Sequence, residues 1–162
     1  MDTVSSSHLR IDTPVGPLLI SGTDTHISGI NFLDEDSSEA FPPPSALVQE
    51  CARQLREYFA GERKAFELPI AQPGTDFQQG VWAQLLTIPY GQTISYQALA
   101  RRIHNPKSIR AVGTTNGKNN IAIIVPCHRV IGSDGSLTGY AGGLWRKRWL
   151  LDHEQGDLFM IK

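Results

Sequence analysis

The sequence predicts an α+β protein built in two parts. Residues 1–74 read as a small antiparallel β-sheet with one helix, and residues 75–162 as a mainly helical lobe. Three observations carry this. Short apolar or alternating runs separated by turn residues fill the first quarter of the chain. The hydrophobic period changes to that of helices after Ala71-Gln72-Pro73-Gly74. The charge divides at the same place: residues 1–75 hold 5 Lys/Arg against 11 Asp/Glu, and residues 76–162 hold 10 against 5. An asymmetry of this kind, hidden in a net charge of −1, points to an anionic partner for the second half.

The first part begins as a meander. Leu9–Ile11, Leu18–Ser21 and Ile27–Phe32 are the strand candidates, parted by Pro14-Val15-Gly16-Pro17 and Gly22-Thr23-Asp24. The acidic, proline-rich stretch 34–44 is expected to be an exposed loop. A helix capped by Ser45 follows, with Leu47, Cys51, Leu55 and Tyr58/Phe59 at helical spacing and Gly61 to close it. Cys51 falls on its apolar face and reads as core. Phe66, Leu68 and Ile70 alternate like one more strand.

In the second part, Thr75 with Gln78 forms a capping-box pattern ahead of an apolar stripe of Phe77, Val81, Trp82, Leu85 and Leu86. Ser95 can cap a second helix that ends before Asn105-Pro106. Ser108 can cap a third, from Ile109 to about Asn116, with Gly117 at its C-terminus. Two short helices joined by a tight turn, in the positive half, fit a helix-turn-helix, and on spacing alone fit an ordinary αα-hairpin equally well. Ile109-Arg110-Ala111-Val112-Gly113 offers one cation among small residues, without the several amide or cationic side chains that read base edges. Taken alone, Arg110 is a solvated charge, and Ala111 and Gly113 are packing residues. A final helix is expected over Leu144–His153, closed by Glu154 and carrying a basic cluster, Arg146-Lys147-Arg148.

Between these helices lies the chemistry. Ile121-Ala122-Ile123-Ile124-Val125 reads as a buried strand, and Pro126-Cys127-His128-Arg129 stands at its end. Thiolate rather than thiol is the nucleophile, and a nearby base or cation generates it, so the tetrapeptide points to an activated cysteine. Neighbours in a regular strand face opposite ways, so Cys127 and His128 are not expected to touch directly. Two cysteines make neither a disulfide framework nor a zinc cluster. No basic stretch followed by an apolar run opens the chain, and no apolar run approaches bilayer length, so a cytoplasmic location is expected, with no membrane association.

Ile123-Ile124-Val125-Pro126-Cys127-His128-Arg129-Val130-Ile131-Gly132 resembles the active-site signature of the O6-alkylguanine-DNA alkyltransferases. Pro89-Tyr90-Gly91-Gln92-Thr93-Ile94-Ser95-Tyr96, Asn105-Pro106-Lys107, Arg110-Ala111-Val112-Gly113 and Leu137-Thr138-Gly139-Tyr140-Ala141-Gly142-Gly143 fall in the family's order. The resemblance implies an RNase H-like first domain and a winged-helix-like second lobe that binds duplex DNA as a monomer. It implies irreversible transfer of a methyl or larger alkyl group from O6 of guanine, with O4-alkylthymine a further possible substrate, to Cys127, once per molecule. His128 would act through a bridging water and be oriented by Glu154. Tyr96, Arg110, Ala111, Gly113 and Ser95 would contact DNA and flip the base, with Arg110 as the inserted finger. Tyr140, Val130 and Ala141 would form the pocket, and Asn119 would hold the hinge before the nucleophile. No cofactor is implied. Only Cys51, His8 and His26 are available for the first-domain zinc site of some relatives, so no metal is expected. The chain departs from the family at Asn120, where proline is frequent, which is expected to loosen the hinge. It departs again at Thr114-Thr115, which is expected to alter contact with DNA. Two other readings are a lesion sensor without transfer chemistry and a cysteine hydrolase unrelated to DNA.

Overall fold

A computed structural model of the chain describes residues 6–33 and 41–160, with side chains to Gly156. The loop expected at 34–44 lies mostly outside these residues. Two compact units meet at Gln72/Pro73.

The first unit is a three-stranded antiparallel meander covered by one helix. Strands β1 (Ser7–Thr13), β2 (Gly16–Gly22) and β3 (Ile27–Phe32) pair in sequence order, with Ile11 opposite Leu18 and Ile20 opposite Ile30. Period-two alternation places Leu18 and Ile20 on the buried face. A bulge at Ser21/Gly22 turns the chain toward β3. A Cβ on Gly22 would sit 2.8 Å from the His26 carbonyl oxygen, so glycine is required there. Helix α1 (Ala46–Phe59) is capped by Ser45, whose hydroxyl accepts from Val48 N, a bond worth about 1 kcal/mol. Its buried face holds Val48, Cys51, Ala52, Leu55 and Tyr58 and packs on the sheet. Burial pushes the Cys51 thiol up to about 12, so it is a core hydrophobe.

The strand expected over Phe66–Ile70 does not form. Only Ile70 pairs, as a single parallel bridge to Ile27. Gln54 of α1 takes both backbone groups of Glu67, accepting from its N–H at 2.9 Å and donating to its carbonyl at 3.3 Å. A side chain thus replaces the neighbouring strand that the alternation called for.

The second unit starts with α2 (Asp76–Leu85), which carries the expected capping box at Thr75 and Gln78. Gly74 just before it is exposed, and a Cβ there would lie 2.7 Å from the Trp82 ring. Strand β4 (Ile94–Ser95) leads into α3 (Tyr96–Arg102), capped by the Ser95 hydroxyl. After a turn that includes His104 at φ 60°, α4 (Ile109–Gly117) packs across α3 as a helix-turn-helix. Ser108 makes no side-chain cap there; its hydroxyl donates back to Asn105 O. Gly117 is the last residue of α4, at the C-terminus where the sequence places it. Trp82 ties α2 to α4 by donating from Nε1 to Thr115 O at 3.1 Å. The last helix, α5 (Leu144–Met160), is longer than expected, so Glu154 lies within it. No described helix is long and apolar enough to cross a membrane.

Candidate active site

The apolar run before the nucleophile is buried but is not a strand. Residues 122–124 form a turn, and Ile123 has φ 72°, a costly conformation for a β-branched residue. The coil arises because the local backbone finds partners close by. Ile124 N bonds Ala122 O, Val125 N bonds Ile121 O, and Cys127 N bonds Val125 O. Asn119 completes the set: its Oδ1 accepts from Ile121 N, and its Nδ2 reaches Ile121 O at 3.3 Å and Val125 O at 2.8 Å. An apolar run specifies burial and leaves the choice of strand or coil to such contacts.

Cys127, His128 and Arg129 form one 3₁₀ turn, from which β5 (Val130–Ile131) continues and pairs in parallel with β4. The pairing of Val130 with Ile94 joins the nucleophile turn to the start of the helix-turn-helix. Cys127 is 6% exposed, and Asn119 Nδ2 lies 3.3 Å from its Sγ. Burial raises its thiol pKa, while the Asn119 contact and the Lys147 charge pull the other way, so the resting sulfur keeps its proton.

Behind the thiol lies a charged network sealed from solvent. His128 Nε2 lies 2.6 Å from Glu154 Oε2. Arg129 grips the same carboxylate, Nε to Oε1 at 2.8 Å and Nη2 to Oε2 at 3.0 Å, and donates from Nη1 to Ile88 O. Gly91 N points at Glu154 Oε1 at 3.4 Å. Gly91 has φ 80°, and a Cβ would approach Glu154 O at 3.3 Å, which explains glycine in Pro89-Tyr90-Gly91. Burial alone would raise the Glu154 pKa; the bonds and charges of His128 and Arg129 reverse this and hold it far below the usual carboxylate range. Burial lowers the His128 pKa, with Glu154 opposing. An ionised Glu154 only accepts, so neutral His128 carries its proton on Nε2 and leaves Nδ1 with a free lone pair. That Nδ1 is buried and has no hydrogen-bond partner among the described residues.

The other expected site residues take separate places. Tyr96 is half-buried and donates from its hydroxyl to Thr138 O at 3.2 Å. Burial raises its pKa. Tyr140 is raised further, by burial above all. Val130 is fully buried and Ala141 is exposed. Arg110 and Ala111 are exposed on α4, while a Cβ on Gly113 would lie 3.8 Å from the Tyr96 ring. Thr115 is 4% exposed, so of the Thr114-Thr115 pair only Thr114 is available for an external contact.

Two residues escaped the sequence reading. Lys147 has no exposed surface; its Nζ donates to Thr138 O at 2.9 Å and lies 5.7 Å from the centre of the Tyr96 ring. Burial lowers its pKa to about 8. Its signal was present: Lys147 precedes Leu150 and Leu151 by three and four residues, so it shares their buried face. Asn116 is 2% exposed and donates from Nδ2 to Cys127 O at 3.2 Å; no pattern in the sequence marks it.

Comparison with known proteins finds two family models laid end to end on this chain. Residues 9–72 match the ribonuclease-like domain, and residues 76–156 the DNA binding domain, of 6-O-methylguanine DNA methyltransferase. A methylated-DNA–protein-cysteine methyltransferase of Methanosarcina barkeri is 45% identical over 91% of this chain and 96% of its own length. The chain belongs to the O6-methylguanine DNA methyltransferase family. Another member, the methylated-DNA–protein-cysteine methyltransferase of Mycobacterium bovis, is 49% identical over 91% of this chain and 92% of its own. Among solved members, the O6-methylguanine methyltransferase of Mycobacterium tuberculosis superposes with a TM-score of 0.85 at 44% identity, covering 98% of this chain and 100% of its own. A structure of Mycobacterium tuberculosis OGT in complex with DNA gives 0.84 at 48% identity, covering 92% of each chain. These likenesses cover both units, so the α+β fold with a ribonuclease-like first domain is shared along the chain's length.

Proposed function

We propose that this protein repairs DNA by direct reversal, moving a methyl or larger alkyl group from O6 of guanine onto Cys127. The observation that carries this is the buried Cys127 thiol, held by Asn119 and set beside the His128–Glu154–Arg129 network. In this reading residues 1–74 form a supporting domain, and residues 75–162 bind DNA and accept the alkyl group. The protein acts as a monomer in the cytoplasm.

The chemistry is an in-line displacement. An Sγ–carbon bond forms as the carbon–O6 bond breaks, and its electron pair stays on the base. The thiol proton passes to His128 Nδ1 through a bridging water, since that nitrogen has the free lone pair. Glu154 stabilises the imidazolium so formed, and Arg129 keeps Glu154 ionised throughout. The guanine anion is a poor leaving group, so a proton or hydrogen bond to the base assists. Tyr96 supplies it at N3, the backbone at Val130 serves O6, and Tyr140 and Ala141 wall the pocket. Holding the thiol protonated until a base arrives limits wasteful alkylation. The thioether product has no route back, so each molecule acts once.

Delivery of the base falls to the helix-turn-helix. Flipping a nucleotide costs a few kcal/mol. Arg110 fills the vacated place in the stack, exposed Ala111 and the small Gly113 allow close approach, and Tyr96 and Ser95 work at the neighbouring phosphate. Incubation with one equivalent of O6-methylguanine duplex is expected to add one methyl mass, located on Cys127. If Cys127→Ala still clears the methyl group from DNA, this function is wrong.

A further inference from the structure

Along the outer face of α4, Arg110, Thr114 and Lys118 recur every four residues, and all three are exposed. Helical geometry sets each about 6 Å from the next. The residues beside them add little bulk. Ala111 and Gly117 are also exposed, and nothing lies within 4 Å of where a Cβ on Gly117 would stand. On this stripe of two cations and small residues, Thr114 alone carries an uncharged hydrogen-bonding group. Among the described residues no hydrogen bond holds its hydroxyl. Its neighbour Thr115 is turned inward and buried.

A slim face of this kind fits the minor groove, whereas a major-groove reader carries several amide and cationic side chains. With Arg110 in the place of the flipped base, Thr114 lies one helical turn away, within about two base steps of the lesion. Every base pair offers acceptors in the minor groove, and only guanine adds a donor, its 2-amino group. A hydroxyl that donates there reads no sequence; one that accepts reads G·C. We propose that Thr114 reads the base pairs flanking the lesion, accepting a hydrogen bond from the 2-amino group of an unflipped guanine, and so favours repair in a G·C context. Arg110 and Lys118, at either end of the stripe, hold the helix on the duplex and carry no such preference. The inference rests on the alkyl-transfer function and the Arg110 finger proposed above.

The test measures the rate of methyl transfer at limiting duplex, as methyl mass on the full-length protein. Each duplex holds O6-methylguanine, and the two base pairs on either side of it are varied one at a time. The varied pair is G·C, with guanine in either strand, or hypoxanthine·C, which lacks the 2-amino group. Thr114→Val keeps the shape of the side chain and removes the hydroxyl. At one of the four positions, the ratio of the G·C rate to the hypoxanthine·C rate is expected to be about fivefold higher in the natural protein than in Thr114→Val, the effect of one hydrogen bond. Comparing both proteins on the same duplexes cancels the weaker pairing of hypoxanthine, and a ratio within each protein cancels a general loss of reactivity. A ratio in the natural protein no higher than in Thr114→Val at all four positions would overturn this role while leaving alkyl transfer standing. No methyl mass from any duplex would overturn both proposals.

Discussion

At the scale of single residues, the site depends on two buried ions that behave differently. The Glu154 carboxylate is held by His128 and Arg129, whereas among the described residues the Lys147 ammonium meets the Thr138 carbonyl oxygen and the hydroxyl and ring of Tyr96, with no carboxylate bonded to it. A buried charge without an ionic partner costs stability. Lys147→Met is therefore expected to stabilise the protein by about 1–4 kcal/mol near neutral pH. The sign with pH follows from the lowered pKa. Below about 8 the ammonium is charged in both folded and unfolded chains, and the cost is complete. Between about 8 and 10.5 the folded protein loses the proton first, so the natural protein gains stability and the difference shrinks. Urea midpoints of the two proteins across this range check it. Losing the charge near Cys127 also raises the thiol pKa, and each unit of that rise slows methyl transfer at pH 7 about tenfold.

At the scale of elements, α4 has two faces with two tasks. Its outer face exposes Arg110, Ala111 and Thr114; its inner face places Gly113 against Tyr96 and Asn116 against Cys127. Arg110→Ala should slow repair of methylated duplex DNA by tenfold or more, since the flipped state costs a few kcal/mol. It should leave reaction with free O6-benzylguanine nearly unchanged, because a free base needs no flipping. Parallel assays on the two substrates decide it, and an equal loss on both would remove the finger role. Capping residues made much of this level readable: Ser45, Thr75 with Gln78, and Ser95 all stand where their helices start. Apolar patterning misled twice, at Phe66–Ile70 and at Ile121–Val125. In both places a polar side chain, Gln54 or Asn119, takes backbone groups that a strand neighbour would have taken. A hydrophobic period reports which residues are buried and is silent about who bonds their backbone.

At the scale of the molecule, the two units have separate cores, and all three tryptophans, Trp82, Trp145 and Trp149, belong to the second. Tryptophan fluorescence therefore follows the unit that carries Cys127. Glu154 and His128 both have lowered folded pKa values, so the unfolded chain binds more protons as pH falls. Their stabilisation is complete above the ordinary histidine range and is expected to be lost as pH drops below about 6.5, more steeply once the ordinary glutamate range is reached. Urea midpoints read by fluorescence between pH 8 and pH 4 should decline accordingly, and a flat profile would show that the network adds little stability. The sequence by itself determined the meander, most of the helix starts and the family, because these rest on local spacing and on contiguous motifs. Only the tertiary structure decided that Lys147 turns inward, that Arg129 shares Glu154 with His128, and that Asn116 touches Cys127. These contacts join residues from 11 to 26 positions apart in the chain, or set a charge against a ring on another helix, and only the packed fold brings such groups together.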